Sequence, residues 1–163
     1  MAIDARRRQK AAEKRKKREK SVKVAKAKAR AMNEGVGMEA VLARAGEFPI
    51  VECVISKGWE ERGLAHILLA RKLPNERLLV GGWYVDTLCL GIKDAAVLPG
   101  IEPADYESRI KPEIFHDKVE FEPCEPELAL KITSGAADFA DKIGFRPNKR
   151  WGESRHLFAG LEP

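Results

Sequence analysis

The sequence is poor in cysteine and in aromatic residues. Three of its 163 residues are cysteine, and 7% are aromatic. Cys53, Cys89 and Cys124 lie too far apart along the chain to form the close pairs that zinc sites use, so no zinc site is predicted. We interpret them as buried, reduced thiols and leave one alternative open: Cys124 lies in a proline-flanked segment and is a candidate reactive thiol.

Long apolar runs are also missing. No run approaches the roughly 20 residues that a membrane span needs. The first 31 residues, with 14 Lys or Arg, lack the apolar segment of a secretory signal. The glycines form no phosphate-binding or dinucleotide-binding pattern, and no serine lies in a nucleophile-elbow context. These observations predict a cytoplasmic protein without a membrane span, a cofactor or a recognisable small-molecule site.

Charge is divided unevenly along the chain. Residues 1–31 hold 14 Lys or Arg and three acidic residues, which gives +11, whereas residues 32–163 hold 16 basic and 22 acidic residues, which gives −6. The net charge of +5 and the pI near 9.2 therefore come from one end of the molecule. Such asymmetry indicates a basic tail with affinity for a polyanion. We divide the chain into a basic arm, residues 1–35, and one globular domain, residues 36–163.

The basic arm is the first candidate binding element. It is rich in helix formers, but its cations would lie on all sides of a helix and repel one another, so we expect a partly helical or disordered arm that orders on a partner. Release of counterions drives cations onto the phosphates of nucleic acid, and RNA is the favoured partner. The arm lacks the bulky apolar face that a membrane-binding helix needs. Its predicted nucleic-acid contacts are Arg6, Arg7, Arg8, Lys14, Arg15, Lys16, Lys17 and Arg18.

A second basic cluster lies near the C-terminus. It contains Arg146, Lys149, Arg150 and Trp151, which we predict as further nucleic-acid contacts. Cations beside an aromatic ring are compatible with stacking on an unpaired base. The alternative is that Trp151 anchors the last helix to the core.

The globular domain is predicted to be α+β. Strands over residues 51–56, 64–73 and 78–92 are expected to form an antiparallel meander of about three strands. Gly81 and Gly82 indicate a bulge in the third strand. That strand is apolar on both faces, so C-terminal helices are expected to cover it.

Two predicted helices supply this cover. The first begins near Pro126 and ends at Gly144, which fits a left-handed cap, and the second spans about 149–159. Apolar residues at helical spacing predict the side of the first helix that faces the core. They are Leu128, Ile132, Gly135 or Ala136, Phe139 and Ile143.

Polar side chains within the predicted strands form a candidate site. Pairing across the Pro74 turn can bring His66 near Tyr84 and Asp86, which interrupts an apolar strand. One interpretation is a structural polar network that fixes the hairpin, with Asp86 at a sheet edge or strand end, since a buried carboxylate needs a partner. The other is a metal-dependent hydrolase or nuclease, with His66 as base and Asp86 as an orienting residue or metal ligand. Asp94 and His116 complete this candidate catalytic set.

Two segments carry a resemblance to known proteins. The run VDTLCLGIKDA at residues 85–95 and the later IGFRP at residues 143–147 resemble a group of bacterial proteins with no settled activity. The similarity covers roughly residues 50–150 and leaves the basic arm outside. It implies a bacterial cytoplasmic setting, and no functional residue is carried over from it.

Three functions therefore remain open at the level of sequence. The first is a non-enzymatic protein that binds nucleic acid, RNA above all, through the basic arm. The second is the hydrolase or nuclease centred on Asp86 and His66. The third is a protein-interaction module whose acidic domain recognises a protein partner.

Overall fold

A computed structural model describes residues 37–114 and 119–162 of the chain. The predictions for the basic arm and for His116 lie outside these residues. The described part is an α+β domain with one antiparallel sheet in the order β4-β3-β2-β1-β5. The strands are β1 (Ile50–Ser56), β2 (Leu64–Lys72), β3 (Leu78–Asp86), β4 (Gly91–Ile101) and β5 (Phe121–Pro123).

Short helices connect the strands, and one long helix follows them. The α-helices are α1 (Met38–Ala43), α2 (Trp59–Arg62), α3 (Pro103–Asp105), α4 (Lys111–Glu113), α5 (Pro126–Lys142) and α6 (Trp151–Ser154). A π-helical segment, Tyr106–Ile110, joins α3 to α4. Two 3₁₀ helices cover Ala45–Glu47 and Arg155–Phe158. No helix within the described ranges is long and apolar enough to span a bilayer.

The predicted α+β class and antiparallel meander are confirmed, and the sheet has more strands than expected. The segment predicted as one strand over 78–92 is two strands, β3 and β4, joined by a turn. Asp86 makes this turn, because its Oδ1 accepts hydrogen bonds from the backbone N–H groups of Leu88 and Cys89 at 3.0 and 2.9 Å. An aspartate that bonds the backbone two or three residues ahead favours a turn over a continued strand.

The bulge predicted at Gly81 and Gly82 is wrong. Pairing between β2 and β3 runs without a shift through both glycines, and pairing between β3 and β4 is also regular there. The glycines instead make room for side chains. A Cβ on Gly81 would collide with the Trp83 ring and lie 2.7 Å from Leu157, while one on Gly82 would lie 2.8 Å from Ile114.

Trp83 is the centre of the core on one face of the sheet. Its side chain is fully buried, its indole N–H donates to Ser154 Oγ at 2.9 Å, and its ring stacks on Phe158 with centroids 4.6 Å apart. A buried indole needs such a partner for its polar N–H. The bond and the stack together hold α6 and the following 3₁₀ helix against β3.

The opposite face of the sheet is covered in part by the segment from α3 to α4. Tyr106 is buried there against Leu78, Val80 and Ile101. Its hydroxyl donates to Glu52 on β1, and Lys111 Nζ donates to the same carboxylate at 2.5 Å. Burial, followed by the bond to Glu52, raises the pKa of Tyr106 well above its usual value. The hydrogen bonds of Tyr106 and Lys111 to Glu52 hold the segment from α3 to α4 against the sheet.

The predicted core-facing side of the long C-terminal helix is wrong in part: Ala136 is buried and Ile132 packs against the core, but the other large residues of the predicted side do not. The side of α5 that faces the sheet is made of small residues: Ala129, Thr133, Ala136, Ala137 and Ala140. Gly91 approaches the helix so closely that a Cβ would lie 2.7 Å from Ala140 Cβ and 2.8 Å from the Ala136 carbonyl oxygen. Large side chains cannot fit at this separation. They lie on the neighbouring side of the helix, where Leu128, Phe139 and Ile143 remain exposed.

Arg71 on β2 brings a positive charge into the interior. Its side chain is 3% exposed. The guanidinium donates to three main-chain carbonyls: Phe48 at 2.6 Å, Leu157 at 2.8 Å and Ala159 at 2.8 Å. Burial lowers the pKa of Arg71 from its usual value, but an arginine remains protonated in a protein. These bonds join the segment before β1 and the last residues of the domain to the middle of the sheet.

We expect Arg71→Met to lower the free energy of unfolding by about 2–4 kcal/mol, because two buried carbonyls and one part-buried carbonyl lose their donor. Urea unfolding followed by tryptophan fluorescence measures the change. Arg62→Met is the matched control, since Arg62 also donates to two backbone carbonyls but at an exposed position. Its expected cost is about 0.5 kcal/mol or less. Equal costs for the two variants would contradict the role given to Arg71.

We expect Gly81→Ala to lower the free energy of unfolding by about 1–3 kcal/mol, because the added methyl group overlaps the Trp83 ring and Leu157. The same unfolding measurement applies. Gly152→Ala in α6 is the control, since no atom lies within 4 Å of its added Cβ. A helical glycine in open space gains about 0.5–1 kcal/mol on replacement by alanine. If Gly81→Ala leaves the free energy of unfolding unchanged or raises it, these contacts are not the reason that position 81 is a glycine.

Candidate functional site

Three of the four predicted catalytic residues lie within the described ranges, at one end of the sheet. His66 on β2 pairs directly with Tyr84 on β3, and Tyr84 pairs with Asp94 on β4. The His66 and Tyr84 rings stack with centroids 4.4 Å apart and planes 2° from parallel. Asp86 pairs with Leu64, two positions beyond His66 along the same ladder. The predicted proximity of His66 to Tyr84 is therefore confirmed.

Lys93 and Asp94 lie beside the Tyr84 ring because the β3–β4 pairing shifts by one residue between Tyr84 and Val85. Lys93 Nζ lies 4.6 Å from the ring centroid and 3.5 Å from the phenol oxygen. A cation over an aromatic face is stabilised by the ring quadrupole. The His66 ring, the Tyr84 ring and the Lys93 ammonium group therefore form a continuous row of contacts on the sheet.

The two carboxylates of the candidate set have local structural partners. Asp86 Oδ1 holds the turn between β3 and β4 through Leu88 and Cys89. Asp94 Oδ1 accepts from the Ala95 N–H at 2.9 Å and lies 3.5 Å from Asn148 Nδ2. Both arrangements fit the structural polar network that the sequence left open. Asp86 is the last residue of β3, which is the strand-end position that the structural interpretation gave it.

The described residues form no cluster of three or more His, Cys, Asp or Glu side chains that could hold a metal ion. His66 is engaged on the sheet: its backbone N–H donates to the buried Ser56 hydroxyl at 3.0 Å, and its ring faces Tyr84. The geometry therefore brings His66 and Asp94 to the two sides of Tyr84.

The second basic cluster is divided between surface and core. Arg146, Lys149 and Arg150 are exposed. Trp151 is 9% exposed and packs in the core cluster that contains Trp83. The stacking role predicted for Trp151 is not available in this fold, because its ring is already covered by protein. Its burial agrees with the alternative interpretation, in which Trp151 anchors the last helix to the core.

Asn148 positions the exposed cations of this cluster. Its backbone N–H donates to the Ile92 carbonyl at 2.9 Å, and its side chain accepts from the Arg150 N–H at 3.0 Å. The bond to Ile92 ties the connection between α5 and α6 to the start of β4. Lys149 and Arg150 therefore project from a fixed turn, which suits them to hold a phosphate backbone in place.

Two cysteines, Cys53 and Cys124, lie side by side near the edge of the sheet opposite to β4. The sequence analysis did not predict this pair. The β1–β5 ladder continues past Val54 and Pro123, so Cys53 and Cys124 stand opposite each other, and the Cys124 N–H donates to the Cys53 carbonyl at 3.0 Å. Their separation of 71 positions in the chain gives no local signal. Only the pairing of the short strand β5 with β1 reveals the pair.

The two thiols affect each other's ionisation. The hydrogen bond that the Cys53 thiol donates to Cys124, together with burial, raises the pKa of Cys53. The bond to Cys53 lowers the pKa of Cys124, and burial opposes this change only in part. The first N–H groups of α5 act in the same direction, through Ala129. Cys124 therefore loses its proton first, and it is the thiol of the pair with nucleophilic character.

Cys124 also faces an open cavity of about 350 Å³. Trp59 and Leu128 give this cavity apolar walls, and acidic side chains form much of the remainder. The acidic residues are Glu60, Glu122 and Glu125. Such a lining favours cationic over anionic molecules near the thiol.

Comparison with known proteins gives no relative. The chain matches no family model, no curated protein and no solved structure.

We expect iodoacetamide to alkylate Cys124 at lower pH in the native protein than in the Cys53→Ala variant. Loss of Cys53 removes the group that lowers the Cys124 pKa, so the midpoint of the rate–pH curve should rise. Mass spectrometry of the modified peptide measures the rate at each pH. Cys89→Ala is the control and should leave the midpoint unchanged. An unaltered midpoint in Cys53→Ala would disprove the coupling of the two thiols.

Proposed function

We propose that this protein is a non-enzymatic nucleic-acid-binding protein of the cytoplasm, with RNA as its favoured ligand, and that the basic arm acts as an electrostatic tether. The observation that carries the proposal is the charge division: +11 on residues 1–31 and −6 on the remainder. A polyanion is attracted to the first part and repelled by the second. The arm therefore provides most of the affinity and the globular domain limits how much of the molecule the nucleic acid contacts.

The exposed cations of the globular domain support a second, weaker contact. Arg146, Lys149 and Arg150 are grouped on the connection between α5 and α6, which Asn148 fixes to β4. A fixed group of cations loses less conformational entropy on binding a phosphate than a free side chain does. We assign these three residues to the backbone of the same nucleic acid that the arm binds.

Binding of this kind reads charge and carries little sequence preference. The arm contains no aromatic residue, and the aromatic ring of the second cluster, Trp151, is buried. Contacts to phosphates position a protein on nucleic acid, whereas base contacts specify the sequence. The hydrolase alternative gains no support from the placement of His66, Asp86 and Asp94, and we do not propose it.

We expect replacement of the eight arm cations by glutamine, in the full-length chain, to remove most of the affinity for a single-stranded RNA. The eight are Arg6, Arg7, Arg8, Lys14, Arg15, Lys16, Lys17 and Arg18. Fluorescence anisotropy at several NaCl concentrations measures the dissociation constant and its salt dependence. Because each neutralised phosphate contributes about 0.7 to the slope of log K against log salt, the slope should flatten together with the loss.

Exchange of the five arginines in this set for lysine is the control, since it preserves the charge and should preserve both affinity and slope. A chain lacking residues 1–31 should lose at least as much affinity as the glutamine variant, because it also lacks the six other cations of the arm. Replacement of Arg146, Lys149 and Arg150 by glutamine should cause a smaller loss. Binding by the arm-neutralised protein that equals binding by the native protein would refute the tether.

A further inference from the structure

One side of α5 carries large apolar side chains that the rest of the described chain covers only in part. Leu128, Phe139 and Ile143 are 43%, 45% and 48% exposed, and Ile132 is half-buried because it packs partly against the core. Gly135 lies among them with no atom within 4 Å of the place of a Cβ. At 100° per residue, these five positions fall within an arc of about 80° on the helix. We call this surface the α5 stripe.

The α5 stripe is distinct from the side that packs on the sheet. That side is formed by alanines and Thr133, and it lies next to the stripe around the helix axis. Isolated exposed apolar residues are ordinary, but a continuous stripe along one helix usually marks an interface. The spacing of its residues along the helix also indicates which partner the stripe binds.

The apolar residues are arranged symmetrically about Gly135. Leu128 lies seven positions before it and Ile143 eight after it, while Ile132 lies three before and Phe139 four after. When the helix is reversed about this point, each large side chain falls opposite another one. The glycine at the centre allows two helix axes to approach closely where they cross.

The charges beside the stripe follow a similar symmetry, centred one residue earlier in the chain and with opposite signs. Glu127, Lys131, Asp138 and Lys142 all lie on one flank of the stripe, within an arc of about 60°, and all are exposed. Glu127 lies eight positions before Gly135 and Lys142 seven after; Lys131 lies four before and Asp138 three after. In a reversed copy, each cation faces an anion.

We propose that the α5 stripe binds a second copy of this chain, with the two α5 helices antiparallel about a two-fold axis near Gly135. In such an isologous pair, residue i contacts j and j contacts i. Leu128 meets Ile143 of the second copy, and Ile132 meets Phe139. On the flank, Glu127 pairs with Lys142 and Lys131 pairs with Asp138, each twice.

The agreement of two independent patterns favours a second copy over an unrelated partner. Docking of a different protein requires an exposed apolar surface, but it places no requirement on the signs of residues equidistant from one glycine. A two-fold pair requires both. The four flank charges make no ion pair with one another, or with any other residue, in the part of the chain that the structure describes.

The first test is the concentration dependence of the mass of the full chain by sedimentation equilibrium, after nuclease treatment so that RNA cannot link copies. Because the interface is confined to one helix face, we expect dimers with a dissociation constant in the micromolar range. Phe139→Ser should raise that constant at least tenfold, and circular dichroism should remain native because the side chain is already exposed. A native chain that stays monomeric would overturn the proposal. This holds whether another part of the chain covers the stripe or the stripe stays exposed.

The second test uses charge reversal. Lys131→Asp and Asp138→Lys each place like charges opposite each other twice in the dimer, and each should weaken dimerisation about tenfold. The double variant K131D/D138K restores opposite charges and should recover the native constant. The single variants change net charge in opposite directions, so a common loss cannot be a net-charge effect.

A mixture of the two single variants distinguishes this geometry from other dimers. The Lys131→Asp chain presents two anions at these positions and the Asp138→Lys chain presents two cations, so the mixture should form heterodimers more tightly than either variant forms homodimers. Dimers that are insensitive to the reversals, or a mixture without this preference, would show that copies associate through another surface and would refute the antiparallel α5 pair.

Discussion

The buried guanidinium of Arg71 is the constraint on which much of this domain depends. An unpaired charge in a protein interior is costly, and among the residues that the structure describes this guanidinium forms no ion pair; it donates to three main-chain carbonyls instead. Those carbonyls belong to Phe48, Leu157 and Ala159, which are remote from β2 in sequence. The sheet can keep its central arginine only when the chain before β1 and the chain after α6 are both in place. Closure of the two ends is therefore coupled to formation of the sheet.

Trp83 reinforces this closure from the neighbouring strand. Its indole N–H reaches Ser154 and its ring lies on Phe158, so the same C-terminal segment is held by a polar bond, an aromatic contact and the arginine. Gly81 permits this arrangement, because any side chain there would occupy the volume of the indole ring. A glycine pair that looks like a break in the sequence is, in the fold, the space that the largest core side chain requires.

The sequence predicted the class of the fold, the meander and the long C-terminal helix, because hydrophobic periodicity and turn residues carry those features. It did not predict the division at Asp86, where strand-forming residues on both sides conceal a side-chain bond to the backbone. The predicted orientation of α5 was also wrong in part, for a physical reason. Rules based on side-chain size place Leu and Phe inside, but the approach of Gly91 leaves room only for Ala and Thr.

The candidate site was predictable only where strand register could be deduced. His66 opposite Tyr84 follows from counting back from the Pro74 turn, and the structure has that pairing. The thiol pair could not be deduced, since β5 has three residues and joins β1 from far along the chain. Trp151 shows the limit of composition: an aromatic residue beside three cations can be a stacking surface or a core anchor, and only burial separates the two.

The two outer strands of the sheet contain prolines, and this has a consequence for how the molecule behaves when crowded. β4 includes Pro99 and β5 ends at Pro123, so each border lacks a main-chain donor at one position. Lys93 and Asp94 add exposed charge to the β4 border. An extended segment from a neighbouring molecule cannot continue the ladder evenly at either border. Fibril growth by strand addition to the folded domain is therefore disfavoured.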